Sequence, residues 1–325
     1  MKHPKSDIKS AVGELKSSGI DIRRLGDTTI DDTVDVIPSR SLALDVAIGV
    51  GGYPRGRIIE MFGPESGGKS TLTYLGMASC QHIGGTAALI DLENSFNVKW
   101  ARSLGVNVDD LYMVQPGYAE QALDAVVELA RANVDIIVID STAALVPKEV
   151  MEGSLEKNQM ALLARTMSKG LQKITNIKTT SVIIFINQLR EKVGVMWGSP
   201  EDTPGGRALK FYSTLRIRVA KVSKSEKYNE HNEPTGHRVK FKIVKNKVGP
   251  PLREGEFYLS YTKGIKRSEE VFTIGTKLGI IEVTGRTYSY GDNKWNGQEK
   301  CREALRTNKP MRQEIAKLIR AQILT

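Results

Sequence analysis

The 325-residue chain has little with which to staple itself or ligate a metal. It holds two cysteines, Cys80 and Cys301, and four scattered histidines. Two thiols exclude a disulfide scaffold and fit a reducing compartment, and so few histidines argue against a His-rich metal enzyme. No apolar run approaches the roughly 20 residues that span a bilayer. The N-terminal MKHPKSDIK leads into polar residues rather than an apolar stretch, so neither a signal peptide nor a membrane partner is expected. What is present is globular in character. Hydrophobic residues make up 40% and charged residues 26%, enough to bury a core without staples.

Charge is the informative excess. Lys and Arg total 47 against 37 Asp and Glu, a net +10, which modestly favours a polyanionic partner. Its distribution says more. Residues 1–30 carry +2, 31–156 carry −10, 157–263 carry +13 and 264–325 carry +5.

The first thirty residues read as an appendage. SDIKSAVGELKSSG puts Ile8, Val12 and Leu15 on a thin helical stripe, with Ser6 as expected N-cap and Gly19 as stop. From about residue 40, RIIEMF (57–62), TAALID (86–91), LYMVQP (111–116), VDIIVID (134–140) and TSVIIFIN (180–187) read as buried strands. Helices are expected at 69–82, 119–131 and 158–175. Apolar strands alternating with helices predict a parallel sheet covered on both faces. After 208, FYSTLRIRVAK, GHRVKFKIVKNK and GEFYLSY alternate with period two and predict antiparallel strands at one edge. KSEKYNEHNEPTG reads as a polar hairpin loop. From about 264 a smaller unit begins, with a GIIEV strand, an aromatic YSYGDNKW segment and helices at 298–306 and 309–323.

GPESGGKS, Gly63 to Ser70, fits the phosphate-loop pattern in full. Its glycines let backbone N–H groups curl around phosphate oxygens, Lys69 reaches the β- and γ-phosphates, and Ser70 is placed to ligate Mg²⁺. Asp140 closes an apolar strand where such folds keep a Mg²⁺-supporting carboxylate. A nucleoside triphosphate follows. Hydrolysis also needs a group that handles water, and Glu93 is the best-placed acid, although a solvated loop carboxylate reads equally well.

Longer stretches carry a family resemblance. GPESGGKSTLT, ALIDLEN, VIDSTAALVPK, IIFINQLREKVGVMWGSPEDTPGGRALKFY and KIVKNKVGPP resemble the bacterial RecA recombinases, in order and with their spacing. The resemblance implies an α/β fold: a RecA-type P-loop ATPase core with a mostly parallel twisted sheet and antiparallel edge strands. An N-terminal helix appendage (1–30) would precede the core (31–263), and a small α/β duplex-DNA-binding domain (264–325) would follow it. It implies an ATP- and Mg²⁺-dependent recombinase that forms filaments on single-stranded DNA, pairs it with homologous duplex and serves repair and the response to DNA damage. Partners would include other copies of the chain and single-strand-binding and mediator proteins. The setting would be the cytoplasm of a bacterium or a phage-infected host.

The resemblance also assigns roles. Glu93 would activate water, Ser70 and Asp140 would hold Mg²⁺, and Gln188 would sense the γ-phosphate. The nucleotide would lie on Gly63, Pro64, Glu65, Ser66, Gly67, Gly68, Lys69, Ser70 and Thr71, with Trp100 stacked on adenine. Lys245 and Lys247 would reach the triphosphate of an adjacent protomer. They also stand out unaided, because they continue the strand parity of Val239, Phe241 and Ile243, where core residues are expected. Two DNA loops are expected. One spans about 152–161 with Met160 and leads to Arg165, Ser168 and Lys169. The other, Glu191 to Arg207, contains Val193, Met196, Gly205, Gly206 and Arg207 and suits phosphate contacts without base reading. Ile22, in the strand 21–26, and Phe211 would lie at the polymer seam.

Some positions depart from the family pattern. Ser70 replaces a threonine, Gly67 a serine and Asn97 an aspartate; Glu191 adds an acid, and Gln172 stands where a basic residue is expected. The N-terminal helix is shorter than usual. The chain ends at AQILT without the acidic tail many relatives carry, which implies ready duplex binding at modest Mg²⁺. Two other readings are open: a ring helicase or translocase on the same core, and a DNA-binding module with a vestigial ATPase. The intact set Lys69, Ser70, Glu93, Asp140 and Gln188 argues against the second.

Overall fold

The computed structural model describes residues 5–20, 22, 33–153, 159–191, 201–228 and 231–323. They fall into two compact units, Met1–Val34 and Asp35–Thr325.

In the first unit, α1 spans Lys5–Ser17. The helix already includes Lys5, so Ser6 lies within it rather than at the expected N-cap position. Gly19 does end the helix. It sits at φ 77°, its N–H donates to the Lys16 carbonyl, and that of Ile20 donates to Leu15, both at 3.0 Å. This is a Schellman stop, and the left-handed residue it needs is cheapest as glycine. Ile8 and Leu15 on the expected stripe are exposed.

The second unit is built on a ten-stranded sheet. Its long strands are β1 (Ile58–Gly63), β2 (Ala87–Asp91), β3 (Leu111–Val114), β4 (Ile136–Asp140), β5 (Val182–Gln188), β6 (Leu215–Lys221), β7 (Pro234–Asn246) and β8 (Glu254–Ser260), with a short β9 (Gly264–Ile265). The order is β9-β8-β7-β6-β1-β5-β4-β2-β3, and the tenth strand, Lys227–Tyr228, pairs antiparallel with the start of β7 within the segment expected to be a hairpin loop. From β6 to β3 every pairing is parallel, and β7, β8 and β9 add antiparallel. Helices α2 (Leu42–Ile48), α3 (Lys69–His82), α4 (Val98–Ser103), α5 (Ala119–Arg131), α6 (Gln159–Thr175) and α7 (Ala208–Tyr212) belong to this part. One apolar cluster joins α3 to one sheet face, and a second joins α5 and α6 to the other. Burying both faces is what makes the strands continuously apolar.

Three expectations need correction. Leu111–Val114 is not buried: Tyr112 and Met113 are exposed, because this strand closes the sheet with a partner on one side only. Leu215–Lys221 is not wholly antiparallel, since it pairs parallel with β1 as well as antiparallel with β7. Its period-two pattern reflects one face packed in the core and the other carrying Arg216 and Arg218. Finally, Lys245 does not continue the core parity. Ile217 pairs with Ile243 but Arg216 pairs with Lys245, so one extra residue, Val244, bulges and turns Lys245 to the face of Arg216.

The C-terminal elements are α8 (Arg267–Lys277), a three-stranded antiparallel sheet of residues 282–284, 287–290 and 293–296, α9 (Gln298–Thr307) and α10 (Lys309–Ile323). Their core of Val271, Phe272, Ile281, Cys301, Leu305, Ile315 and Ile319 also takes in Leu42 of α2. A buried carboxylate pins this junction. Glu270 accepts from the Ser41 hydroxyl at 2.6 Å and from the backbone N–H groups of Ala43 and Leu42 at 3.2 and 3.3 Å, serving the orphan donors of α2.

Burial nevertheless pushes the Glu270 carboxyl up to about 7, against the pull of those donors. The folded chain therefore holds this proton more tightly than the unfolded chain. The contribution is fully present below the ordinary glutamate range and is lost as pH rises to about 7. Urea unfolding midpoints should decline over that interval, and Glu270→Gln should flatten the decline. A variant whose midpoint declines as steeply as the wild type would place the titration elsewhere.

Candidate active site and DNA-facing surface

Because β1, β2, β4 and β5 are parallel, their carboxyl ends share one edge of the sheet. That edge gathers Gly63, the segment after Asp91, Asp140 and Gln188. The phosphate loop leaves β1 and turns into α3 through Ser66 at φ 54° and Gly68 at φ 94°. Gly63 must be glycine, since a Cβ there would lie 1.8 Å from the Val219 carbonyl oxygen. At Gly67 a Cβ would sit 3.1 Å from the carbonyl oxygens of Pro64 and Val219, so the missing serine leaves room in a tight loop. Pro64, Glu65 and Ser66 are exposed, whereas Lys69 and Thr71 are buried.

The Lys69 ammonium donates to the Gly63 carbonyl at 3.0 Å and the Pro64 carbonyl at 2.6 Å. Burial lowers its pKa, and Asp140, Glu65 and Glu93 oppose that shift. The Ser70 hydroxyl donates to Asp140 at 2.8 Å. Burial, with Glu93 and Asp91 close by, pushes the Asp140 carboxyl up to about 6, although the Ser70 bond works the other way. Glu93 Oε1 accepts from the Ser141 hydroxyl and from Gln188 Nε2, the latter at 3.3 Å. Lys69, Ser70, Asp140, Glu93 and Gln188 thus meet at this edge.

Trp100 joins them. Its indole N–H donates to the Thr71 hydroxyl at 3.3 Å. Asn97, the departure from aspartate, caps α4 by accepting the Trp100 N–H at 2.9 Å, so it positions the ring-bearing helix.

Lys245 and Lys247 lie elsewhere. Arg216, the cross-strand neighbour of Lys245, is level with Glu60, three residues before Gly63. Lys245 donates to the carbonyls of Lys210 and Phe211, each at 2.9 Å, at the end of α7. Lys247 is exposed and shares a cleft with Phe211 and Tyr212. Phe211 is 75% exposed. Ile22 is half-buried.

On α6, Arg165, Ser168, Lys169 and Gln172 are exposed at the i, i+3, i+4, i+7 spacing of one helix face, and Met160 is exposed near its start. Gly205 and Gly206 lie against this helix, at φ 90° and 76°. A Cβ on Gly206 would meet that of Ala164 at 2.9 Å, and one on Gly205 would meet Met167 at 3.4 Å. The close approach sets exposed Arg207 and its loop end beside Arg165. Val193, Met196 and the Glu191 side chain lie outside the described residues, as do residues 154–158 of the first loop.

Sequence reasoning missed Ser141, Asn187, Glu60 and Arg216. Glu60, wholly buried in β1, forms an ion pair with Arg216 and accepts from Asn187 Nδ2 at 3.2 Å. Asn187 Nδ2 also donates to the Pro204 carbonyl at 3.2 Å, and its Oδ1 accepts the Gln188 N–H at 3.0 Å. One amide therefore ties the end of β5 to the return of the second loop. The only sequence signal was an acid inside RIIEMF. Among the described residues no cluster of three or more His, Cys, Asp or Glu forms a metal site, and no helix is long and apolar enough to cross a membrane.

Comparison with known proteins closes the identification. The RecA N-terminal domain model matches residues 7–266 and the RecA C-terminal domain model matches 269–324. The chain is 51% identical over 303 residues to the protein RecA of Caldanaerobacter subterraneus, covering 92% of this chain and 87% of that one. It is 48% identical to the protein RecA of Porphyromonas gingivalis, covering 93% and 89%, and 49% identical to that of Francisella tularensis subsp. novicida, covering 92% and 83%. The chain belongs to the RecA family of DNA-dependent ATPases, which assemble as filaments on single-stranded DNA and act in repair by homologous pairing and strand exchange.

Proposed function

We propose that the nucleotide is ATP, taken with Mg²⁺, and that it is hydrolysed at a site shared by two protomers of the filament. The observation that carries this is the meeting of Lys69, Ser70, Asp140, Glu93 and Gln188 on one sheet edge. The phosphate loop and the N-terminus of α3 bind the phosphates. Glu93, fixed by Ser141, takes the proton of the attacking water. Gln188 shares the same carboxylate oxygen, so the strand that feeds the second DNA loop ends on the base.

The donor set fits a hard divalent cation. Ser70 and Asp140 offer oxygens 2.8 Å apart, and the carboxyl pushed up to about 6 gains from a positive neighbour. When bound there with phosphate oxygens, Mg²⁺ would offset triphosphate charge.

Lys245 and Lys247 serve a different protomer. They stand level with the start of β1, roughly 10 Å along the strand from Gly63, and so face away from their own phosphate loop. The seam would then carry Phe211, on the helix whose carbonyls hold Lys245, and Ile22 from the N-terminal unit. Acidic segment 31–156 would meet basic segment 157–263 across it. Arg165, Ser168, Lys169, Gly205, Gly206 and Arg207 would contact DNA phosphates, with Met160, Val193 and Met196 against bases. In this division residues 1–30 serve assembly, 31–263 catalysis and 264–325 duplex landing, in the cytoplasm of a bacterium or infected host. Single-strand-binding and mediator proteins would act on the filament.

The test is ATP hydrolysis with and without single-stranded DNA; turnover indifferent to DNA would contradict the reading. Phe211→Ala should lower the Hill coefficient for ATP and shorten filaments in electron micrographs, with an unchanged unfolding midpoint. Filaments of normal length would remove Phe211 from the seam.

A further inference from the structure

A cleft of about 530 Å³ lies where the C-terminal helices meet the core, well away from the phosphate loop. Five cations from three parts of the chain line it, among apolar and neutral residues. Arg40 comes from the turn before α2, Arg267 from the first residue of α8, and Lys309, Arg312 and Arg320 from α10. The acid that lines it is Glu270, already engaged with α2.

Two of the guanidinium groups are fixed in place. Arg40 donates to the carbonyls of Leu104 and Ala78 at 3.1 and 3.0 Å, and Arg312 to those of Leu305 and Arg306 at 2.8 and 3.1 Å. Arg320 stands 3.6 Å from buried Asp45. Among the described residues, no carboxylate pairs with Arg40, Arg267, Lys309 or Arg312. Burial and the charge of Arg267 lower the Arg40 pKa; burial lowers that of Arg267, with Arg312 and Arg320 adding to the shift and Glu270 opposing it. The cluster is thus close enough for mutual repulsion. The two nearby buried carboxylates are engaged elsewhere, Glu270 by Ser41 and the start of α2 and Asp45 by Ser39 and Arg320. A fold that holds like charges together in a concavity has a counter-ion to accommodate.

We propose that this cleft is a second anion site, for a compact oligophosphate group. Guanidinium forks match phosphate oxygens in pairs, and the volume lies in the small-ligand range. Cations on several walls of a concavity suit an anion that enters it. The convex backbone of a duplex would meet only the rim.

The probe is inorganic tripolyphosphate, titrated calorimetrically into the full chain. Wild type should show two sites per chain. Lys69→Ala should weaken the phosphate-loop site and keep the second. Arg267→Gln with Lys309→Gln should weaken the second by at least about tenfold, the loss expected from two charge-assisted contacts. That pair should hydrolyse ATP at the wild-type rate without the probe. Lys309→Glu alone, at an exposed position, gives the same reading if the pair unfolds. A single site in wild type would overturn the proposal. So would tripolyphosphate binding unchanged by these substitutions, or a loss confined to binding of a 12-base-pair duplex.

Discussion

Glu93→Gln is expected to cut the turnover number for ATP hydrolysis by about 10²–10⁴ while changing ATP affinity little, the loss typical of a missing general base. The amide keeps the size of the side chain and can still accept from Ser141, so its neighbours have no cause to move. What disappears is the capacity to take a proton. Filaments should still form with ATP, and they should persist longer because the nucleotide survives. Single-turnover hydrolysis beside equilibrium ATP binding separates the two effects. A fall in turnover of less than tenfold, or a matching loss of affinity, would mean that Glu93 positions phosphate rather than water.

The largest expected effect on stability comes from the buried pair under the phosphate loop. Arg216→Ala should cost about 3–5 kcal/mol, because it leaves the Glu60 carboxylate buried with the Asn187 amide at 3.2 Å and the more distant charge of Lys245 in place of its ion pair. Glu60 has no exposed surface, whereas Arg216 keeps a little and also lies over the Phe62 ring, 4.6 Å from its centroid. Most of the penalty is the uncompensated charge. Adding Glu60→Gln to Arg216→Ala should therefore recover a large part of it, which a simple loss of packing around Phe62 would not allow. Urea unfolding of the two single variants and the double closes the cycle. A double variant as unstable as the sum of the singles would contradict a charge-based account.

Much of this was legible from residue order. The strand cores were readable because strands buried on both faces are apolar throughout, and the phosphate loop because its spacing is dictated by phosphate geometry. Asp140 followed from its place at a strand end. Other features leave no local mark. The bulge at Val244 is one β-branched residue among several, yet it reverses the face on which Lys245 lies. Leu111–Val114 is as apolar as its neighbours, and only sheet order makes it an edge. Glu60 was visible as an acid in an apolar run, but its partner lies 156 residues away. Ser141 and Asn187 are ordinary polar residues at strand ends until the fold brings Glu93 and Pro204 to them. Positions set by long-range pairing are the ones that sequence order conceals.

In the proposed mechanism the ATP site and the DNA surface act as one machine, joined through Gln188, Asn187 and the Gly205–Gly206 turn. The direct test is D-loop formation by the purified chain, with ATP, Mg²⁺, single-stranded DNA and a supercoiled duplex. Joint molecules should form with homologous duplex and not with heterologous duplex, and should vanish in Lys69→Ala. Joint molecules that form without ATP, or none at all from a chain that hydrolyses ATP on single-stranded DNA, would contradict it.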